Sequence, residues 1–150
     1  AMKRKIAKIS KVVSIAASEE RRFSEQTGRS QRALNQQLER LKELNAYQRG
    51  YNSKAPVAAG MSSAHWKDYQ TFIQRLDQAT RTQQQVIREC EQNLEMHRRR
   101  WMVKRQKLES LERVLEKCHQ REAVYASRLE QKQLDDLPGR QVSIVKSGDS

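Results

Sequence analysis

Apolar residues recur along the chain at alternating steps of three and four. From Ile6 the series runs through Ile9, Val13, Ala16, Glu20, Phe23, Thr27, Ser30, Leu34, Gln37, Leu41, Leu44, Gln48 and Tyr51 in one unbroken heptad register. A 3.5-residue period belongs to a coiled-coil seam, which is narrower than the face a helix turns toward a globular core. The middle of the series is polar, and Gly28 costs about 1 kcal/mol against Ala in a helix interior. The stretch from Glu20 to Ser30 is therefore expected to fray locally.

The pattern stops at Asn52, where Asn52, Ser53, Pro56 and Gly60 form a cluster of turn residues. Such a loop is short enough to fold the chain back on itself. Ser62 is placed to cap the free amides of a second helix, and Met61 with Trp66 fits a hydrophobic staple. A second series then runs through Ile73, Leu76, Ile87, Cys90, Leu94, Trp101, Leu108, Leu111, Leu115, Cys118, Tyr125 and Leu129, with polar interruptions at Thr80, Gln83, His97, Lys104 and Glu122. Pro138 and Gly139 end it, and the carboxylates of Asp135 and Asp136 oppose the dipole in its last turn. The pattern predicts an all-α fold: a long antiparallel two-helix coiled-coil hairpin with a C-terminal helical overhang. Helix 1 covers about 3–52, a loop 53–61, helix 2 about 62–136, and residues 138–150 form a disordered tail.

A turn centred near Pro56 and Val57 pairs residues whose numbers sum to roughly 113 across the seam. Leu34 then faces Ala79, Leu41 faces Phe72, and Ile6 lies near Lys107. Everything after about Glu112 overhangs by roughly 35 Å at 1.5 Å per residue, which leaves Leu115, Tyr125 and Leu129 without a seam partner. The same register brings Lys3, Arg4, Lys5, Lys8 and Lys11 beside Arg98, Arg99, Arg100, Lys104, Arg105 and Lys107, giving a basic end opposite an aromatic one.

Composition agrees with helices and excludes a large core. Hydrophobic residues make up 36%, below the roughly 45–50% of globular domains. The net charge of +12 favours acidic partners: nucleic acid, anionic lipid or an acidic protein surface. No apolar run nears the roughly 20 residues that span a bilayer, and no signal-peptide core opens the chain, so a soluble intracellular protein is expected. Ala1 before Met2 reads as a residue left by cloning. Cys90 and Cys118 on one helix are separated by roughly 40 Å, so they cannot pair within the molecule and read as small seam residues in a reducing compartment.

No catalytic constellation is visible. There is no Gly-rich phosphate loop, and His65, His97 and His119 have no cysteine or carboxylate at ligand spacing on one helix face. A two-helix hairpin also lacks the interior for a small-molecule pocket. An enzyme is rejected, with no cofactor and no small-molecule substrate. The basic cluster reads either as a solvated face or as an electrostatic contact. HRRRWMVKRQK offers only Trp101 for stacking, so nucleic acid is the smaller part of the second reading.

Trp66 to Gln83 carries more apolar surface than one seam needs. Tyr69, Ile73, Leu76 and Thr80 fill the inside, while Phe72 and Ala79 form a second row with Leu76, and Leu44, Tyr47 and Tyr51 run alongside on the first helix. Either both rows are buried in a wider core near the turn, or they form an exposed patch that binds a partner.

YQRGY at Tyr47 to Tyr51, WKDYQTFIQRLDQA from Trp66 to Ala79, Trp101 followed by KRQKLESLE, and RLEQKQLDD near the end together resemble the flagellar export protein FliJ family, from about Leu34 to Asp136. The resemblance implies a soluble, cytoplasmic component of the flagellar type III export apparatus, peripheral at the inner membrane. It further implies a stalk-like coiled coil that inserts into the hexameric ring of the export ATPase, promotes its assembly, and couples it to the export gate and export chaperones. The partners so implied are that ATPase and its regulator, the large export-gate membrane protein and the chaperones, with no specific nucleic acid. Carried over by position, gate binding falls on Leu44, Tyr47, Tyr51, Phe72, Leu76 and Ala79. Arg40 and Gln83 depart from the family pattern, where Gln and His occur. The basic end, Lys3, Arg4, Lys5, Lys8, Lys11, Arg98, Arg99, Lys104 and Arg105, is then expected to meet the ATPase ring. An injectisome stalk protein and a basic coiled-coil nucleic-acid-binding protein are the alternatives.

Overall fold

The computed structural model describes residues 1–53, 60 and 62–137. Helix α1 spans Met2–Ser53 and helix α2 spans Ser63–Asp135, packed against each other as an antiparallel hairpin. No strand occurs among the described residues. The expected loop, apart from Ser53 and Gly60, lies outside them, as do the Met61 half of the staple and the tail from Pro138 onward.

The heptad pattern explains which side chains are covered. Every seam position from Ile6 to Tyr51 on α1 is buried or half-buried, and so is every one from Tyr69 to Glu122 on α2. Cover is deepest at Cys118, Ala16 and Leu94, which are 3%, 4% and 4% exposed. Both cysteines are free and sit in the seam, Cys118 buried and Cys90 half-buried. At 97, by contrast, the seam holds a histidine whose Nδ1 is buried without a hydrogen-bond partner.

Local signals set the helix ends. The carbonyl of Ser62 accepts the first helical bond of α2 from Trp66 at 2.9 Å, and its hydroxyl takes the backbone N–H of His65 at 3.4 Å. That is N-cap geometry, satisfying one of the free amides of the first turn. At the other end the N–H of Asp136 still bonds the Lys132 carbonyl at 3.0 Å, and the cation of Lys132 lies in the last turn. In between, α1 passes unbroken through the stretch expected to fray. There the Thr27 hydroxyl donates to the Phe23 carbonyl at 2.9 Å, and the Arg22 guanidinium lies 5.3 Å over the Phe23 ring.

The chain divides into two compact units: Ala1–Glu20 with Lys104–Ser150, and Arg21–Val103. In the second, Leu34, Ile87 and Leu94 form a buried cluster, with Leu41 and Cys90 packed against it. Next to it Gln83 Nε2 donates to the Gln37 carbonyl at 2.9 Å and to Gln37 Oε1 at 2.8 Å. In the first unit, Lys104 Nζ meets Glu19 Oε2 at 3.0 Å.

These contacts correct the register. Gln37 with Gln83, and Glu19 with Lys104, have numbers summing to 120 and 123, against the roughly 113 expected from the turn residues. Leu34 therefore packs with Ile87 and Leu94 rather than facing Ala79, and Ile6 lies level with residues near Leu115 rather than Lys107. Two causes push partners to higher numbers. α1 ends at Ser53 and α2 begins at Ser63, so the numbers of the helix ends already sum to 116 rather than roughly 113. In addition, each side chain leans toward its own helix N-terminus, so a given spot is covered by a residue about one position further on in both helices.

The overhang shrinks accordingly. Leu115 and Glu122 are half-buried and Cys118 is buried. Only from Tyr125, 63% exposed, and Leu129, 42% exposed, does the stripe lose its cover.

A Cβ added at Gly28 meets only the Arg32 guanidinium, at 3.5 Å. Gly28→Ala is expected to stabilise the hairpin by roughly 0.5–1 kcal/mol, seen as a higher urea midpoint. Ile87→Ala, in the buried cluster, is expected to cost about 2–4 kcal/mol in the same measurement.

Candidate docking surfaces

Near the turn the structure separates residues that share a short stretch of sequence. Leu76 is 9% exposed and belongs to the seam, where its carbonyl accepts the Thr80 hydroxyl at 3.0 Å. One position before a seam residue, Phe72 and Ala79 fall on the flank, and both are exposed. The Phe72 ring lies against that of Tyr51, with centroids 4.6 Å apart and planes tilted by 50°. Tyr51 is half-buried and Leu44 likewise, while Tyr47 is 64% exposed. Of the six residues carried over for gate binding, Tyr47, Phe72 and Ala79 offer exposed surface, Leu44 and Tyr51 form its floor, and Leu76 supports it from within.

Further contacts stiffen this surface. The Tyr69 hydroxyl donates to the Tyr51 carbonyl at 2.7 Å, tying the end of α1 to the start of α2. Trp66, 41% exposed, stacks on Tyr69 with centroids 5.8 Å apart. Trp66 opens the stretch whose apolar surface exceeds one seam, yet it was not among the six residues carried over for gate binding. Its place one heptad before Ile73, beyond the last seam residue of α1, was the available signal. Gln83 turns inward to Gln37 and so lies under the surface rather than on it.

The basic residues do not assemble as the earlier register implied. Lys3, Arg4, Lys5, Lys8 and Lys11 are exposed in the first unit, level with α2 residues near 110–118 rather than with Arg98 and Arg99. Arg98 and Arg99 belong to the second unit, where Arg98 donates to Gln31 Oε1 at 3.1 Å and Arg99 pairs with Glu95 at 3.0 Å. Arg105 pairs with Glu109 at 3.2 Å. Such exposed pairs contribute little stability, yet they offset the charge a partner would meet. Lys104 is held in its half-covered pair with Glu19.

Among the described residues no group of His, Cys, Asp and Glu is arranged to hold a metal ion. None of their helices is long and apolar enough to cross a membrane. The fold defines an all-α, two-helix coiled-coil protein. The model of the family described as flagellar FliJ protein matches residues 4–144. The flagellar FliJ protein of Escherichia coli (strain K12) is 30% identical over 115 residues, covering 75% of this chain and 78% of that protein. That of Salmonella typhi is 27% identical over 115 residues, with the same coverage. No solved structure matches. The chain belongs to the flagellar FliJ protein family. It is a component of flagellar protein export and not an enzyme.

Phe72→Ala and Leu76→Ala are expected to part company. Truncating the flank residue should leave the urea midpoint nearly unchanged, whereas the seam residue should lose about 2 kcal/mol or more.

Proposed function

We propose that the protein acts as a stalk in the flagellar type III export apparatus, entering the hexameric ring of the export ATPase by its first unit and meeting the large export-gate membrane protein by the surface near the turn. The observation that carries this reading is the end of the α2 stripe: Tyr125 and Leu129 continue the seam pattern and stand exposed. An exposed apolar stripe at seam spacing suits a partner helix or ring. The exposed cations Lys3, Arg4, Lys5, Lys8 and Lys11 lie in the same unit and would steer docking onto an acidic surface. Through these contacts the protein would promote ring assembly, couple the ATPase and its regulator to the gate, and receive export chaperones. Its place would be cytoplasmic, held peripherally at the inner membrane by the apparatus.

A pull-down with the cognate export ATPase, read alongside ATPase activity, tests the first contact. Tyr125→Ala with Leu129→Ala should weaken capture, and Lys5→Glu with Lys8→Glu should weaken it most at low salt. Unchanged stimulation of the ATPase by both variants would count against ring entry. For the second contact, Tyr47→Ala with Phe72→Ala should reduce binding to the gate protein by about tenfold or more, the range of aromatic hot spots, with helicity retained.

A further inference from the structure

In the first unit the charges are sorted by flank. One position before seam residues, α1 carries Lys5, Lys8, Val12 and Ile15, and α2 carries Lys107, Val114, Lys117, Arg121, Val124 and Arg128. On each helix these residues form a second stripe at steps of three and four beside the seam. Antiparallel packing sets like flanks together: Arg98 and Gln31, each just after a seam residue, meet across the other side. Positions just before a seam residue therefore share the opposite side. Around its own edge the structure agrees, since Lys117, Gln120, Arg121, Val124, Tyr125 and Arg128 line one shallow depression with Ala1 and Met2.

This flank combines two properties seldom exposed together. Val12, Ile15, Val114 and Val124 are 45%, 63%, 46% and 51% exposed. Among the described residues none of its six cations takes part in an ion pair. Its two acids are Glu19, already bound to Lys104, and Asp135 at the end of α2. The acids of α2 instead gather on the other side, where Glu109, Glu112 and Glu116 line a separate depression with Arg113.

We infer that this flank of the first unit docks on an anionic phospholipid surface. Half-exposed aliphatic side chains between lysines and arginines match the headgroup boundary: the valines and Ile15 reach into it, while the cations extend their stems and keep their charge at the phosphates. Each cation near such a surface adds to the attraction, and sorting keeps the acidic flank in water. Nucleic acid fits less well, because among the described residues Tyr125 is the one aromatic side chain at this surface, and stacking of successive bases takes several. The inference does not depend on ring entry, and its test contains no ATPase.

The full chain is sedimented with vesicles of phosphatidylglycerol mixed into phosphatidylcholine, and with phosphatidylcholine alone. Binding is expected only with phosphatidylglycerol, weakening as salt rises. Lys117→Glu with Arg121→Glu should reduce it by about tenfold or more, and Val12→Ser with Ile15→Ser should reduce it without altering the salt dependence. Charge reversal on the other flank, Glu112→Lys with Glu116→Lys, should not weaken it. All of these side chains are exposed, and circular dichroism checks that each variant stays helical. No binding to phosphatidylglycerol vesicles, equal binding to neutral vesicles, or undiminished binding by the Lys117 and Arg121 variant would overturn the inference. So would duplex DNA that binds through these residues while the vesicles do not.

Discussion

Two helices can bury one stripe each against the other, and that limit governs this molecule. No side chain among the described residues reaches the near-complete burial found in a globular core, and Cys118 at 3% exposure is the deepest. Stability must come from many partly covered contacts along a long seam rather than from a dense centre. The polar contacts between the helices fit the same logic. Gln37 with Gln83 and Glu19 with Lys104 add little net energy, but each is satisfied only when the correct residues meet across the helices. They act on alignment more than on strength.

With the inside so narrow, one position of displacement along the helix decides the role of a side chain. Leu76 and Phe72 are neighbours on α2, yet the first is covered by α1 and the second is left facing outward. The covered residue supports the surface and the flank residue forms it. Tyr51 holds the two together, half-buried, with its ring against Phe72 and its carbonyl bound by Tyr69. An exposed aromatic surface can thus be held firmly without a core beneath it.

Charge is organised by the same geometry. Arg99 and Arg105 are partly neutralised by glutamates one turn away on their own helix, and Lys104 by Glu19 across the seam. Among the described residues the cations of the flank formed by Lys5, Lys8, Lys107, Lys117, Arg121 and Arg128 take part in no such pair. A run of basic letters such as HRRR is therefore a poorer guide to a charged surface than lysines spaced at heptad intervals.

The sequence by itself determined the helices, the seam and most of the cap at Ser62. Periodicity, turn residues and capping hydroxyls act within a few residues of themselves, so every seam position read from Ile6 to Tyr51 and from Tyr69 to Glu122 is covered as its spacing implied. The aromatic residues later found exposed near the turn were legible too, as a stripe too wide for one seam. Register was not. It depends on where α1 and α2 end and on the opposite lean of their side chains, both set only when the helices meet. Tertiary structure therefore decided that Ile87 rather than Ala79 packs with Leu34, that Leu76 belongs inside, and that the uncovered part of α2 starts after Glu122.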